Sequence, residues 1–219
     1  MIAVLFEATG AVRDALIARG YNAVSVDFRP SETPGPHIVG DVFDHLDDGW
    51  SGAIMHPDCT YLSASGLHWN HRVYGREMMT RRALHQVRFL MASSIPVWAI
   101  ENPKGCIATA IRPSNQFIQP HDYGHDASKE THLWLKGLPL LRKTKRVPGR
   151  HVRDPRNGKM VERWANQTDS GQNRLAPSED RWAERSATYP GIADAFADQW
   201  GSILAGEEPP ITNLFGEAA

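Results

Sequence analysis

Short apolar runs rich in β-branched residues alternate along the chain with longer amphipathic runs. Four of the short runs predict β-strands, at residues 2–6, 23–27, 51–55 and 96–100. The amphipathic runs predict helices at residues 12–19, 76–92 and 192–204. Strands that alternate with helices in this way are typical of an α/β fold with a largely parallel sheet.

The later part of the chain breaks this alternation. Residues 117–119 and 131–135 predict an antiparallel pair at the edge of the sheet. Between Leu138 and Arg185 the pattern gives way to proline, glycine and charge. The sequence therefore predicts a main domain over residues 1–137 and 186–219, interrupted by a small loop-rich lobe at residues 138–185.

Charge and cysteine content narrow the class of protein. The 24 Lys and Arg residues are balanced by 25 Asp and Glu, so nucleic-acid binding has to come from a local patch. No apolar run approaches the roughly 18 residues of a membrane span, and the N-terminus lacks the basic start of a signal peptide. Two cysteines make no disulfide framework, although a bridge between Cys59 and Cys106 stays open. The sequence predicts a globular protein of the reducing cytoplasm with no membrane partner and leaves its oligomeric state undetermined.

Polar residues follow the predicted strands, at the sheet edge where ligands of a doubly wound sheet bind. FEATG, residues 6–10, offers small residues through which a cofactor can reach backbone amides, and Asp27 can accept hydrogen bonds from ribose hydroxyls. Together they indicate an adenosine-type cofactor. A tight turn beside a surface aspartate is the alternative, and for Asp41 the alternative is a helix N-cap.

Cys59 and Glu101 follow neighbouring predicted strands, so a nucleophile and a carboxylic acid are expected at the same edge. Cytosine becomes reactive at C5 once a nucleophile adds at C6, and a proton given to N3 assists that addition. Such chemistry requires a lowered cysteine pKa and a raised glutamate pKa. The alternative for Cys59 is a small buried hydrophobic residue.

With these residues in order, the sequence resembles the cytosine-C5 DNA methyltransferase family. The matching segments are FEATGAVRDALIARG, DF at Asp27, GDVFD at Asp41, HPDCTYLS, AIENPKG and DYGHDASKETHLWL, which lie within residues 1–136. HPDCTYLS is similar to the family's Pro-Pro-Cys-Gln-x-Phe-Ser segment, and AIENPKG to its Glu-Asn-Val segment. The resemblance is to a compact, phage-like member, for which the host cytoplasm is the expected location.

The resemblance implies a Rossmann-like fold of the S-adenosylmethionine-dependent methyltransferases, with a mostly parallel sheet and an antiparallel edge strand. It implies methylation of cytosine C5 in DNA through a covalent Cys59 intermediate. The implied catalytic residues are Cys59, Glu101, Asn102, Lys129 and Thr131. The residues implied to bind S-adenosylmethionine are Phe6, Glu7, Thr9, Gly10, Asp27, Phe28, Asp41, Val42 and Pro57, and Ser63 is implied to contact the substrate.

Several positions depart from the family pattern. Asp58 replaces the proline before the cysteine and brings a negative charge close to the thiol, which raises a cysteine pKa unless a cation offsets it. His56 stands where the family has the first residue of that segment, and Pro103 replaces valine. Lys129 and Thr131 replace an arginine pair that contacts the base, so the contact to the pyrimidine O2 is in doubt.

The substrate is the least determined feature. Residues 138–185 are too few for a full target-recognition domain, but residues 142–159 hold eight Lys and Arg against one Asp. Arg150, Arg153 and Arg156 are therefore expected to contact the phosphates of single- or double-stranded DNA. A solvated loop is the alternative. A free nucleotide such as deoxycytidine monophosphate is the alternative substrate, and an inactive binding protein is the alternative function.

No metal site is predicted. His68 and His71 lack companions with the spacing of zinc ligands. With Trp69 and Tyr74, they follow the nucleophile segment, where the family has a mobile catalytic loop. A clamp on the substrate is the expectation for these four residues.

Overall fold

The computed structural model describes residues 1–174 and 187–207 and shows a seven-stranded sheet between two helical layers. The order across the sheet is β3-β2-β1-β4-β5-β7-β6. β7 pairs antiparallel with both β5 and β6, and the other described strand pairs of this sheet are parallel. The strands are β1 (Ile2–Leu5), β2 (Ala23–Asp27), β3 (His37–Val39), β4 (Gly52–Met55), β5 (Trp98–Pro103), β6 (Gln116–Ile118) and β7 (Thr131–Lys136).

This topology confirms the predicted fold class, a Rossmann-like α/β fold with a mostly parallel sheet and antiparallel pairing at one edge. The four predicted strands and the antiparallel pair are present. One placement was wrong: Glu101 and Asn102 lie within β5 rather than after it. β5 extends beyond the end of its parallel neighbour β4, because β7 continues to pair with β5 as far as Pro103.

Successive side chains of the buried strands point to opposite faces of the sheet, because a strand has a period of two residues. On one face, Ile2 and Val4 of β1 pack in a cluster with residues of α1 (Ala11–Ile17) and α5 (Pro190–Ala205). On the other face, Ala3 and Leu5 pack with residues of α3 (Arg76–Met91) and α4 (Ile107–Ala110). The short helix α2 (Ala64–Leu67) and the 3₁₀ turns Val42–His45 and Pro120–Asp122 complete the described helices.

Helix α5 packs against α1, as its periodicity predicts. Ile192, Phe196 and Trp200 lie on its buried face, and the rings of Phe196 and Trp200 stack with centroids 4.8 Å apart. The indole Nε1 of Trp200 donates to the carbonyl of Pro139 at 3.0 Å, which ties the helix to the start of the predicted lobe.

The described part of the lobe contains a hairpin that the sequence pattern did not indicate. β8 (Arg150–Arg153) pairs antiparallel with β9 (Met160–Arg163). Trp164 follows the hairpin and stacks on His121 with a centroid distance of 3.7 Å, so the hairpin is anchored to the main domain. Residues 175–185 of the lobe and the chain after residue 207 lie outside the described residues. The division into two domains stays a prediction.

The two cysteines and the lengths of the helices bear on predictions made from the sequence. Cys59 and Cys106 are free thiols, so the bridge that the sequence left open is not formed. None of the helices in residues 1–174 and 187–207 has both the length and the apolar character needed to cross a bilayer.

Candidate active site

A cleft opens where β1, β2, β4 and β5 end, at the point where the chain reverses its direction across the sheet. It consists of two adjoining hollows of about 320 Å³ and 330 Å³. The first, here the Cys59 hollow, is lined by Cys59, Glu101, Asn102, Lys129, Asp27 and the residues after β1. The second, the Asp41 hollow, is lined by Asp41, Val42, Phe43 and Gln86. Phe6, Phe28, Pro57 and Asp58 border both hollows.

The turn after β1 forms one wall of the Cys59 hollow through Phe6, Glu7 and Thr9. Phe6 adopts a left-handed backbone with φ of 62°, a conformation rare for a residue with a side chain. The buried Glu7 carboxylate accepts hydrogen bonds from the backbone N–H groups of Val12 at 2.7 Å and Arg13 at 3.2 Å. Burial raises the pKa of Glu7 despite these bonds and the nearby charge of His56.

Gly10 lies at the start of α1, directly after this turn. It is not among the residues that line the described hollows. Gly10 is the N-cap of α1 and has a φ of +76°. A β-carbon at this position would lie 2.3 Å from Thr33 Oγ1 and 2.4 Å from Arg13 Nη2. Gly10 therefore allows close packing of the turn against the β2–β3 connection, and its contact with a cofactor stays a prediction.

Two carboxylates, one in each hollow, line the cleft. Asp27 is buried at the end of β2, and its Oδ1 accepts from the backbone N–H and Nε of Arg29 at 2.9 and 3.1 Å. Asp41 accepts from the backbone N–H of Phe43 at 3.0 Å and so caps the 3₁₀ turn, as the alternative interpretation of the sequence proposed. Because Asp41 also lines its hollow, the capping role and a ligand contact are compatible.

The turn after β4 places the half-buried Cys59 side chain against the Cys59 hollow. The Cys59 carbonyl accepts from the N–H groups of Leu62 at 3.1 Å and Ser63 at 2.9 Å, which closes the turn. Asp58 Oδ1 accepts from the backbone N–H and hydroxyl of Thr60 at 2.9 and 2.6 Å. The extra carboxylate of this segment is thus engaged in a local turn.

β5 supplies the side chains that hold this turn. Asn102 is buried, and its Nδ2 donates to the carbonyl of Pro57 at 2.7 Å, which joins β5 to the segment before Cys59. Glu101 Oε2 lies 3.0 Å from His56 Nδ1, and each of these two side chains is 11% exposed. The strand thus fixes both the backbone before Cys59 and the carboxyl group that faces the same hollow.

The sequence predicted a raised glutamate pKa, and for Glu101 this was wrong. Burial acts to raise the pKa of Glu101, but the hydrogen bond from His56, the charges of Lys129 and His56 and a hydrogen bond from Thr131 together lower it below the ordinary value. Glu101 is therefore a carboxylate near neutral pH in the ligand-free protein.

Lys129 and Thr131, which occupy the positions of the family's arginine pair, have separate settings. Lys129 lines the Cys59 hollow, and its Nζ donates to the carbonyl of Ala187 at 3.3 Å. Thr131 is buried, and its Oγ1 donates to the carbonyl of Lys129 at 3.3 Å. Lys129 thus faces the Cys59 hollow, while Thr131 acts to lower the pKa of Glu101.

Four of the predicted substrate contacts lie away from the two hollows as described. Ser63 begins α2, and its hydroxyl is 3.2 Å from that of Ser65. In the hairpin, Arg150 pairs with Asp169, Arg153 Nη1 donates to the carbonyl of Gly158, and Arg156 pairs with the buried Asp154. Two of the three arginines expected to bind phosphate are thus matched by carboxylates within the protein.

Sequence reasoning missed His56, Arg29 and Thr188 as lining residues of the Cys59 hollow. His56 had a signal, because it occupies a motif position next to a predicted nucleophile. Thr188 had none, since only the return of the chain before α5 brings it to the cleft. No cluster of three or more metal-ligating side chains occurs in the part of the chain that the structure describes.

No protein-family model matches the chain, and no curated protein matches it. Among solved structures, the chain is similar to a prophage-encoded E. coli protein described as a candidate DNA modification methyltransferase, with 13% identity and a TM-score of 0.41. The match covers 68% of this chain and 52% of that one, so the chain spans about half the length of the matched protein.

Proposed function

We propose that this protein is an S-adenosylmethionine-dependent methyltransferase that modifies C5 of cytosine in DNA through a covalent bond to Cys59. The observation that carries the proposal is the shared hollow: a half-buried thiol and a carboxyl group whose side chain is 11% exposed line the same space as Asp27. A nucleophile and an acid that line one site are the groups that addition to a pyrimidine ring requires.

The residues of the cleft fit the proposed cofactor. Asp27 presents a carboxylate suited to ribose hydroxyls, and the exposed ring of Phe28 at the border of both hollows suits contact with a flat adenine ring. Asp41 and Val42 would hold the far side of the adenine. When bound, S-adenosylmethionine supplies an electrophilic methyl group.

The chain's own residues account for activation of the base. The Cys59 sulfur attacks C6 of cytosine, and Glu101 hydrogen-bonds to N3, where charge develops. Asn102 holds the carbonyl of Pro57, which keeps the nucleophile turn against β5. Loss of the C5 proton and departure of the Cys59 sulfur then release the methylated base. A base within duplex DNA has to be flipped out of the stack to reach this hollow, at a cost of a few kcal/mol.

A free cytosine nucleotide is the second candidate substrate, and the pairing of the lobe favours it. Arg146, Arg150 and Arg156 each form an ion pair with a carboxylate of this chain. Charges neutralised in this way attract a phosphate backbone less strongly than the sequence count suggests. The basic segment would then need to bind only one phosphate group.

The test is transfer of labelled methyl from S-adenosylmethionine to duplex DNA, single-stranded DNA and deoxycytidine monophosphate in parallel. We expect label in a DNA substrate with the intact protein, none with Cys59→Ser, and unchanged transfer with the control Cys106→Ser. Cofactor binding should survive in Cys59→Ser, since a serine hydroxyl is a far poorer nucleophile but a close replacement in size. Label in the nucleotide alone would select the second candidate. No transfer to any substrate would contradict both.

A further inference from the structure

His56 is the side chain of the cleft that the proposed chemistry leaves without a role. Its backbone N–H donates to the carbonyl of Leu5 at 2.9 Å, which extends the pairing of β4 with β1 and fixes the residue at the base of the Cys59 hollow. Its Nδ1 lies 3.0 Å from Glu101 Oε2. Its Nε2 is buried and has no hydrogen-bond partner among the described residues.

Carboxylates flank the imidazole on both sides. β4, which precedes His56, lies between β1 and β5 in the sheet, so Glu7 after β1 and Glu101 of β5 are its acidic neighbours. The charge of His56 acts on the pKa of each of them. The opposing cations are Lys129, which acts on Glu101, and Arg13, which acts on Glu7; Asp58, next but one in the chain, is engaged with Thr60. A proton on Nδ1 would lie between the imidazole and the Glu101 carboxylate, whose Oε2 is 3.0 Å away.

Glu101 is ionised in the ligand-free protein, so it has to gain a proton before it can donate to N3. A carboxylate and the N3 of cytosine are both hydrogen-bond acceptors, so an ionised Glu101 cannot bond to N3 or relieve the charge that develops there. Because the hydrogen bond from His56 helps to keep Glu101 ionised, the proton that Glu101 requires is held one hydrogen bond away.

We propose that His56 is the proton reservoir of Glu101: its Nδ1 delivers the proton that Glu101 passes to N3 of cytosine. This inference rests on the proposed cytosine chemistry. His56 is proposed to act through Glu101 rather than on the base, so it is a positioning residue rather than a catalytic one.

Every proton in the proposed transfer from His56 to N3 is accounted for. At the start, the imidazole carries two N–H protons and Glu101 is a carboxylate. The Cys59 sulfur bonds to C6, the C5=C6 double bond opens, and the displaced electron pairs leave C4=C5 bonded and N3 negative. N3 takes a proton from Glu101 as Glu101 takes the Nδ1 proton, which leaves His56 neutral. On elimination of the sulfur, the proton returns by the same route, and no oxidant or reductant is involved.

The decisive variant is His56→Asn, because an asparagine amide can still donate to Glu101 but carries no proton to give. We expect kcat on the methylated substrate to fall by about 10- to 100-fold near pH 8, with the KM for S-adenosylmethionine within about twofold. An imidazole ordinarily holds a proton to higher pH than a carboxyl group. The high-pH limb of the rate profile should therefore move to lower pH by about one unit or more. A purely structural role predicts a wild-type rate and profile in His56→Asn, and that result would overturn the proposal.

A second measurement does not depend on methyl transfer. In protein with ¹³C-labelled glutamate carboxyl groups, the Glu101 signal, assigned by its loss in Glu101→Gln, is titrated in wild type and His56→Asn. We expect Glu101 to titrate at higher pH in the variant, because the charge of His56 is gone. Identical titration in both proteins would overturn the proposal whatever the activity. If no substrate is methylated, the proposed function fails together with the N3 step, and a shifted titration would leave only a coupled pair.

Discussion

Asp27, Cys59 and Glu101 come from three strands or their ends, yet they line one hollow. Parallel strands bring their carboxyl ends to one edge, so residues far apart in sequence become neighbours without any specific pairing between them. The local contacts then refine the arrangement: Asn102 fixes the backbone at Pro57, and His56 holds Glu101. At the scale of single residues, the proposed chemistry depends on these two hydrogen bonds as much as on the reacting groups.

The first prediction concerns the cofactor. Asp27→Ala should weaken binding of S-adenosylmethionine by about 1.5 to 3 kcal/mol, the usual contribution of hydrogen bonds to a charged group. Titration calorimetry measures the change, with Asp198→Ala on the outer surface of α5 as the matched control. Equal affinity in wild type and Asp27→Ala would remove Asp27 from the cofactor site.

The second prediction concerns two glutamates whose pKa shifts have opposite signs. The pKa of Glu101 is lowered, so its contribution to stability is present above its ordinary value of 4.5 and is lost as the pH falls through the folded value. The pKa of Glu7 is raised, so its contribution is present below 4.5 and is lost as the pH rises through its folded value.

Urea unfolding as a function of pH separates these two effects. With falling pH below about 4.5, wild type should lose stability relative to Glu101→Gln. With pH rising from about 4.5, wild type should lose stability relative to Glu7→Gln. Parallel stability curves for wild type and either variant would contradict the assigned direction for that residue.

At the scale of elements, the sequence identifies those whose pattern is long or strongly periodic. Helix α5 is predictable because Ile192, Phe196 and Trp200 recur at helical spacing. Strand β3 has three residues, and the β8–β9 hairpin has mixed burial, so neither shows a period that a sequence window can detect. The contact between His56 and Glu101 was also beyond the sequence, because it depends on how far β5 extends past β4.

The third prediction tests the β1–α1 turn. Gly10 and Gly20 both have positive φ, but a β-carbon at Gly10 meets Thr33 and Arg13, whereas nothing lies within 4 Å at Gly20. Gly20→Ala should therefore cost only the left-handed conformation, about 1 to 2 kcal/mol. Gly10→Ala should cost at least about 1 kcal/mol more, because it disturbs the buried hydrogen bonds of Arg13. Equal losses in chemical denaturation would show that the turn has room for a side chain.

At the scale of the whole molecule, the main question is how a nearly neutral protein would hold a polyanion. The sequence count of basic residues in the lobe overstated the free charge, because carboxylates distant in sequence pair with several of them. Asp154 shows the effect most clearly: it is buried, and hydrogen bonds from Arg156 hold the pKa of its carboxyl group far below the ordinary range. Arg156 is thus expected to stabilise the hairpin more than to bind phosphate.

The fourth prediction follows from that distinction. Arg153 is exposed, and its described hydrogen bond goes to a carbonyl, so it remains available to a phosphate. For duplex DNA, Arg153→Gln should reduce the log-log salt slope of binding by about 0.9, the value of one phosphate contact. Arg19→Gln, on a cation paired with Asp194 and Asp198, is the control. Oligonucleotide binding that ignores salt and Arg153→Gln, and is no tighter than that of deoxycytidine monophosphate, would favour the nucleotide.

The proposed chemistry depends on a covalent bond between Cys59 and C6 of cytosine, and this covalent intermediate can be trapped. In 5-fluorocytosine, fluorine replaces the C5 proton whose loss releases the enzyme, so methyl transfer should leave the protein joined to its substrate. The measurement is the mass of the intact protein after incubation with S-adenosylmethionine and a 5-fluorocytosine oligonucleotide, with the corresponding nucleotide in parallel. We expect a protein mass increased by one substrate and one methyl group in wild type and Cys106→Ser, and no increase in Cys59→Ser. An adduct that persists in Cys59→Ser, or none in wild type with either substrate, would contradict it.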